Sequence, residues 1–403
     1  MARSLQDFYP PKLNVPLVRL CQMFGPIAAH WYFRFDLDVD YGSVNQLIEL
    51  RNQRVLLVPN HPTFQDPIVM FMLSARLGQT FYYLAAVELF RDVLGPFFQG
   101  VGVYSIRRGL ADRASIAQTL ELWEKPNCHL VIFPEGGCSF QNDTVMPFRI
   151  GAVQLAFQGM NRVAKQTQDI PDLYTVPVSI KYRYTGRIYQ VIDKTLADLE
   201  QAFAIPKKAT RYDRLRAIAT QVLVSIENEY GISASEIAEQ TWNQRIASLK
   251  AKVLEQCEQQ FGLISAPGEA NRERVYRILN TLQTRTEQID TGEMVDEHPW
   301  EIAFVQKSML RVLNFDAIYD GYVAAAPTPE RFLDTLIRLE REVFGIDKPP
   351  PKGHRVALLR IGNPINLKDH FEAFQKNKVE TVSAIAQQLQ NAVQTGLNNL
   401  QTK

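Results

Sequence analysis

Two patterns of apolar and polar residues alternate along the first half of the chain. Short runs that are apolar almost throughout are typical of strands buried on both faces of a sheet. These runs lie at 54–58, 81–85, 101–106, 129–133 and 175–181. Between several of them, segments such as 67–77 and 112–124 carry apolar side chains at helical spacing. Strands that alternate with helices predict an α/β domain, here a layered mixed sheet with flanking helices.

The pattern changes after Gly186. Residues 209–230 and 236–261 repeat apolar residues every three or four positions, which predicts helices with buried stripes. A proline-rich breaker at 348–353 precedes one more strand-like run at 354–361 and a final helix. The helical block is therefore either an insertion, with the last strand and helix returning to the α/β domain, or a second domain. The predicted boundaries are a helical or interfacial segment at 1–45, the α/β domain at 46–186, the helical block at 187–350 and the returning part at 351–403.

Composition excludes several classes of function. The chain has 403 residues, with 44 Lys and Arg against 43 Asp and Glu, so its net charge is +1. A broad basic face for nucleic acid is not expected, and any anion site must be local. The four cysteines are far apart and form no CxxC pair, so neither a zinc site nor a disulfide framework is expected. This favours a reducing, cytoplasmic location.

The start of the chain offers an interfacial candidate. The chain has no run of about 18 apolar residues, so no ordinary membrane span is predicted. Residues 15–35 are rich in apolar and aromatic groups, and they either contact a membrane surface or dock on the protein's own core. The aromatic residues that we expect at a surface are Phe24, Trp31, Tyr32, Phe33 and Phe35.

The most informative motif places a histidine and an aspartate between a strand and a helix. His61 and Asp66 are five residues apart and follow the run 54–58. Such turns carry function in α/β proteins. A histidine there can accept a proton from an alcohol, and the carboxylate can fix its tautomer. The plainer alternatives are a helix N-cap for Asp66 and a loop histidine with no catalytic role.

Two more segments carry candidate ligand contacts. Arg107 and Arg108 follow the run 101–106 and could bind a phosphate, although a solvated pair at a turn is the alternative. Glu135, Gly136 and Gly137 follow the run 129–133, where a carboxylate beside glycines could bind a polyol.

The helix that follows begins near Arg149, which could be a second phosphate contact. Pro177, inside the run 175–181, predicts an edge strand or a bulge.

The order of these segments resembles the four blocks of the glycerolipid acyltransferase superfamily, which includes 1-acylglycerol-3-phosphate and glycerol-3-phosphate acyltransferases. The blocks are Asn60 to Asp66, Gly102 to Arg108, Phe133 to Gly136, and Val176 to Val178, with Gly362 to Ile365 similar to a late strand end of the family. Gly137 and Cys138 stand where lysophosphatidate-type members usually have Thr and Arg, so the acceptor stays open.

The resemblance implies an O-acyltransferase of phospholipid biosynthesis. His61 would be the general base and Asp66 its partner. Arg107, Arg108, Glu135, Gly136, Gly137 and Arg149 would bind the acceptor. No resident cofactor or metal is expected, because acyl-CoA or acyl carrier protein serves as co-substrate. The expected partners are this thioester donor, a glycerol phosphate or lysolipid acceptor and a membrane surface contacted peripherally.

Two alternatives remain. A thioester hydrolase would use His61 to activate water, and it would need no phosphate clamp. A non-catalytic protein that binds or scaffolds lipid phosphates would work through the helical block.

Overall fold

The computed structural model describes residues 8–290 and 299–400. The chain forms two compact units. One comprises Met1–Gly186 together with Gly353–Lys403, and the other comprises Arg187–Lys352. All the strands described belong to the first unit.

The first unit is built on one mixed sheet of eight strands. The strands are β1 Phe35–Val39, β2 Arg54–Pro59, β3 Tyr82–Ala86, β4 Val103–Ile106, β5 His129–Val131, β6 Leu173–Tyr184, β7 Arg355–Ile361 and β8 Ile365–Asn366. Their order is β1-β7-β6-β2-β5-β3-β4, and β8 pairs with β6. The strands from β6 to β4 are parallel, whereas β7 is antiparallel to β6 and parallel to β1. The predicted layered mixed sheet with flanking helices is confirmed.

The helices are numbered along the chain. They are α1 Val15–Trp31, α2 Tyr41–Glu49, α3 Asp66–Leu77, α4 Gly95–Gly100, α5 Arg113–Glu124, α6 Gly151–Thr167, α7 Ile188–Ala202, α8 Arg211–Glu229, α9 Ala234–Ile237, α10 Trp242–Phe261, α11 Asn271–Asp290, α12 Pro299–Phe315, α13 Tyr322–Ala325, α14 Pro329–Phe344, α15 Phe371–Lys376 and α16 Lys378–Asn399. The first six and the last two belong to the first unit, and the other eight to the second.

Strand β2 shows why the apolar runs form the centre of the sheet. Val55 and Leu57 point into one buried cluster, and Leu56 and Val58 point into another on the opposite face. Successive side chains of a strand point to opposite faces, so a strand covered on both sides must be apolar throughout. This burial fixes the register of β2 and therefore the position of the residues that follow it.

Two elements differ from their predictions. Strand β1, at the edge of the sheet, lies within the segment 1–45 that was predicted to be helical or interfacial. β6 is an interior strand, so the edge-strand alternative for Pro177 was wrong. Pro177 lies between the stretches of β6 that pair with β8 and β7.

The N-terminal helix α1 packs on the sheet unit through one face only. Val18 and Ala29 are buried, and Gln22 donates to the Ser74 hydroxyl of α3 at 3.0 Å. The opposite face is apolar but exposed: Leu20, Met23, Phe24, Ile27 and Trp31 have exposed fractions of 52–77%. Within residues 8–290 and 299–400, none of the helices is both long and apolar enough to span a membrane.

The aromatic residues after α1 divide between the surface and the core. Tyr32 is exposed, but Phe35 is fully buried in β1 and Phe33 packs against the core. The prediction that Phe35 contacts a surface was therefore wrong.

The regular secondary structure in the described residues of the second unit is helical, and the unit holds charged groups in its interior. Arg214 makes a two-pronged pair with Glu200 at 2.7 and 2.8 Å, and both side chains are nearly buried. Arg245 and Glu227 form a similar pair. Each buried guanidinium has a carboxylate partner in these pairs, which offsets the cost of removing both charges from water.

Candidate active site

His61 lies at the point where the central strand β2 ends and the chain turns into α3. β2 lies between β5 and β6, and all three run in the same direction. Their carboxyl ends therefore meet at one edge of the sheet, so the loops after β2 and β5 adjoin each other there. Asn60 anchors this turn: its side chain accepts from the Ile180 N–H at 2.7 Å and donates to the Ile180 carbonyl at 2.9 Å.

His61 and Asp66 form a close pair. His61 Nδ1 lies 2.7 Å from Asp66 Oδ2, and the aspartate side chain is completely buried while 14% of the histidine side chain is exposed. The pair forms because the chain folds back at 62–65 and begins α3 at Asp66. An ionised carboxylate only accepts hydrogen bonds, so the neutral imidazole carries its proton on Nδ1 and keeps a lone pair on Nε2.

Asp66 is held by two further residues. Thr63 donates to it through its N–H and its hydroxyl, both at 2.8 Å. The phenol of Tyr182, on β6, donates to Asp66 Oδ1 at 2.7 Å. The carboxylate thus accepts four hydrogen bonds in all, and its orientation is fixed from both sides.

The segment after β5 holds the backbone of His61. We call residues 133–140 the Glu135 loop. The buried Glu135 accepts the His61 N–H through Oε1 at 2.9 Å, and the Ser139 N–H donates to the His61 carbonyl at 2.8 Å. Phe133 lies against the imidazole with ring centroids 4.4 Å apart. Phe140 adopts the left-handed region at φ 50°, a conformation that costs energy in a residue other than glycine.

The surroundings of His61 change its pKa. Burial acts to lower the pKa of His61, but the neighbouring Cys138 and Asp66 act in the opposite direction and raise it well above its usual value. Burial and the Asp66 charge together raise the pKa of Tyr182 well above its usual value, so this phenol stays protonated and remains a donor.

Cys138, within the Glu135 loop, lies close to His61. Its Sγ is 3.5 Å from Nε2 and 3.8 Å from Nδ1. The two nearly equal distances place the sulfur between the two nitrogens rather than on the lone-pair axis of Nε2. A thiol that gives its proton to an imidazole lies on that axis. The orientation of Cys138 is therefore not that of an activated nucleophile.

Arg149 meets the Glu135 loop at Gly136. Gly136 has φ 74°, and a Cβ there would lie 2.8 Å from Arg149 Nε. The Arg149 side chain thus lies across the glycine. The Arg149 backbone N–H donates to the Pro134 carbonyl at 2.9 Å. Gly137 is the next residue of the same turn. Among the predicted ligand contacts, Glu135, Gly136 and Arg149 therefore meet at the Glu135 loop, where Glu135 contacts the His61 backbone.

Arg107 and Arg108 lie farther away. They follow β4, which is three strands from β2, so about three spacings of ~4.8 Å, roughly 14 Å, separate the two strands. The Arg107 N–H donates to Asp112, and Arg108 lies 3.6 Å from Glu88. The arginine pair shares the carboxyl edge of the sheet with His61 but belongs to its far end.

Three groups of this site were not predicted from the sequence. They are Thr63 and Tyr182, which hold Asp66, and Asn60 as the anchor to β6. Thr63 is three residues before Asp66, a spacing that could have been noticed. The role of Tyr182 follows only from the pairing of β2 with β6.

A separate cavity of about 590 Å³ lies elsewhere in the first unit. Its lining includes Ser43 of α2, Gly362 and Pro364 after β7, and Gly396 of α16. None of the predicted site residues lines it. The Gly362–Ile365 segment, which resembles a strand end of the family, borders this cavity.

Comparison with known proteins identifies the domain that carries His61. None of the curated proteins is similar enough to count as a match. Residues 43–181 match the family model described as Acyltransferase. This range includes β2, β5 and most of β6, together with His61, Asp66 and the Glu135 loop. Over residues 43–181, the chain is therefore similar to the acyltransferase family.

Proposed function

We propose that the protein transfers a fatty acyl group from an acyl thioester to the hydroxyl of a glycerol phosphate or lysophosphatidate. The observation that carries this proposal is the His61–Asp66 pair at 2.7 Å, with Nε2 as the remaining basic nitrogen. A neutral imidazole oriented by a buried carboxylate is suited to take a proton from an attacking alcohol. The family of residues 43–181 supports acyl transfer as the class of reaction.

The proposed reaction needs one group that acts first as a base and then as an acid. The acceptor hydroxyl gives its proton to His61 Nε2 while its oxygen attacks the thioester carbonyl. The tetrahedral intermediate then expels the thiolate, which takes the proton back from the imidazolium. Asp66 stabilises the imidazolium between these steps, and general base catalysis of this kind contributes about 10²–10⁴-fold in rate. No covalent enzyme intermediate is required.

Arg149 is the better candidate for the acceptor phosphate. The hydroxyl and phosphate of a glycerol phosphate are only a few bonds apart, so the phosphate must bind near His61. Arg149 contacts Gly136 of the Glu135 loop, whose Glu135 contacts the His61 backbone. Arg107 and Arg108 are roughly three strand spacings of ~4.8 Å from that position. We therefore assign the phosphate of a short acceptor to Arg149, and we assign Arg107 and Arg108 to more distant parts of donor or acceptor.

The exposed face of α1 supports peripheral attachment to a membrane. Its apolar residues lie on the side of the helix opposite Val18, Gln22 and Ala29, which are buried. An amphipathic helix of this kind can rest its apolar face in the lipid interface. Lysolipid acceptors and long-chain thioesters partition into membranes, so such attachment would bring the site to its substrates.

A vesicle flotation experiment tests this attachment without removing α1, whose other face is buried. The double variant Ile27→Asp and Trp31→Asp is expected to lose most flotation with anionic vesicles. Ile264→Asp, at an exposed apolar residue of the second unit, is the matched control. Equal flotation of the unmodified protein, the double variant and the control variant would contradict peripheral attachment through α1.

Cys138 gives a second candidate mechanism. Its sulfur lies 3.5 Å from His61 Nε2, and a rotation of this side chain could bring it into line for an acyl-cysteine intermediate. This route predicts that Cys138→Ala abolishes turnover and that the unmodified protein accumulates a thioester adduct visible by mass spectrometry. Direct transfer predicts an active Cys138→Ala variant and no adduct.

The central experiment measures thiol release from acyl-CoA with several acceptors. Glycerol-3-phosphate, lysophosphatidate and monoacylglycerol separate the need for phosphate from the need for an acyl chain. We expect His61→Ala to lose about 10²–10⁴-fold in kcat, and Arg149→Ala to raise KM mainly for phosphate-bearing acceptors. Arg162→Ala, on the surface of α6, is the matched control. Thiol release that ignores every acceptor would favour the thioester hydrolase instead.

A further inference from the structure

Three metal-binding side chains meet at the β1 edge of the sheet, away from His61. His30 lies in the last turn of α1, Asp36 in β1, and His354 directly before β7. His30 Nδ1 is 2.8 Å from one Asp36 oxygen, and His354 Nε2 is 2.8 Å from the other. The two imidazole rings lie with their centroids 4.5 Å apart. All three potential ligand atoms are within 4.8 Å of one another.

The donor set and its spacing fit zinc. Two imidazole nitrogens and a carboxylate form a common ligand set for Zn²⁺, with bonds of about 2.0–2.2 Å. Tetrahedral geometry with such bonds separates donor atoms by about 3.3–3.6 Å. This value falls between the 2.8 Å of the two His–Asp contacts and the 4.8 Å limit of the cluster. The three side chains therefore need only small adjustments to surround one ion.

The cluster is also accessible to an ion. The side chains of His30, Asp36 and His354 have exposed fractions of 43%, 54% and 31%. Water can thus complete the coordination as a fourth ligand. Asp38, two residues along β1, is exposed and lies on the same face of the strand, where it adds negative charge.

We propose that His30, Asp36 and His354 bind one zinc ion. The site would join the end of α1 to the paired strands β1 and β7, which come from opposite ends of the chain. Asp36 and His354 are 318 residues apart, so the ion would link the N-terminal part to the point where the chain re-enters the first unit. This site is independent of the proposed acyl transfer, since it uses no residue of the active site.

Zinc binding to the chelator-treated full-length protein tests the proposal. Titration with zinc chloride alone, followed by calorimetry and metal analysis, is expected to give one ion per chain and a higher melting temperature. His30→Gln and His354→Gln should each weaken binding by about tenfold or more. His370→Gln, another histidine of the first unit outside the cluster, is the matched control. The variants should melt like the unmodified protein without zinc, which shows that they fold.

Cobalt distinguishes this cluster from the His61–Cys138 region. A Co²⁺ complex of His30, Asp36 and His354 should lack thiolate-to-metal charge transfer and should persist in Cys138→Ser. The proposal is overturned if the protein binds no zinc, if binding is unchanged in both histidine variants, or if it disappears in Cys138→Ser.

Discussion

Replacing Asp66 with asparagine separates the charge of this residue from its shape. The carboxylate lies 2.7 Å from His61 Nδ1, and an opposite charge this close raises the pKa of a histidine. Burial, which lowers the pKa of His61, and Cys138, which raises it, both stay in place in the variant. The acidic limb of kcat/KM should therefore move to lower pH. The sign follows because neutral His61 is the active form, so activity rises as pH passes the pKa.

The same variant should also be much slower at its optimum. An asparagine amide can donate to Nδ1, which moves the imidazole proton to Nε2 and removes the base. We expect kcat to fall by about 10²–10⁴-fold, the usual contribution of a general base. The assay is thiol release between pH 5 and 9 over a range of donor and acceptor concentrations, and the acidic limb reports the pKa of the free enzyme when kcat/KM is plotted.

Tyr182→Phe is the matched control for Asp66→Asn. It removes the 2.7 Å hydrogen bond to Asp66 Oδ1 but leaves the carboxylate charge. Loss of a hydrogen bond to a charged group should reduce the free energy of unfolding by about 1.5–3 kcal/mol. Activity should fall by less than tenfold, and the acidic limb should move far less than in Asp66→Asn. An unmoved acidic limb in Asp66→Asn, or an equal loss of activity in Tyr182→Phe, would contradict this role of the Asp66 charge.

Three further predictions concern stability. Gly136→Ala should lower the free energy of unfolding by about 1–2 kcal/mol because Gly136 has a positive φ. It should also raise the acceptor KM by displacing Arg149. Gly151→Ala, in open space at the start of α6, should leave the free energy of unfolding nearly unchanged. Asn60→Ala should lower the free energy of unfolding, measured in urea, by about 2–4 kcal/mol. The substitution removes the side-chain partner of a buried backbone N–H and carbonyl of β6. The raised pKa of His61 contributes stability that is complete below about pH 6.5. The stability advantage over His61→Gln should therefore shrink as pH rises through the native pKa, and an advantage that grows instead would contradict that pKa direction.

Burial on both faces made the central strands predictable. The run 54–58 is apolar throughout because its alternate residues enter two separate clusters, and this leaves a clear signal in the sequence. Strand β1 gives a weaker signal, since its two aspartates alternate with apolar residues at the edge of the sheet. Its neighbour β7 is about 320 residues later, and no local pattern indicates that pairing.

In the candidate site, too, one part could be predicted from the sequence and another part could not. His61 and Asp66 could be paired from the sequence because only a short turn separates them. The groups that hold this pair come from other strands: Glu135 is 74 residues away from His61, and Tyr182 is 116 residues away from Asp66. They contact His61 and Asp66 because β2 lies between β5 and β6. The order of strands in the sheet determines this adjacency, and the order of residues along the chain does not.

The sheet order also explains why we propose Arg149, rather than Arg107 and Arg108, for the acceptor phosphate. Along the chain, Arg107 and Arg108 precede Arg149, so the order of residues gives no reason to place Arg149 nearer to His61 than the arginine pair. In the sheet, β5 is adjacent to β2, whereas β4 is separated from it by β5 and β3. A loop after β5 therefore adjoins the catalytic turn, and a loop after β4 does not. If Arg108→Ala raised the KM for glycerol-3-phosphate more than Arg149→Ala did, the acceptor would have to extend across the strand ends, and the assignment based on strand adjacency would be wrong.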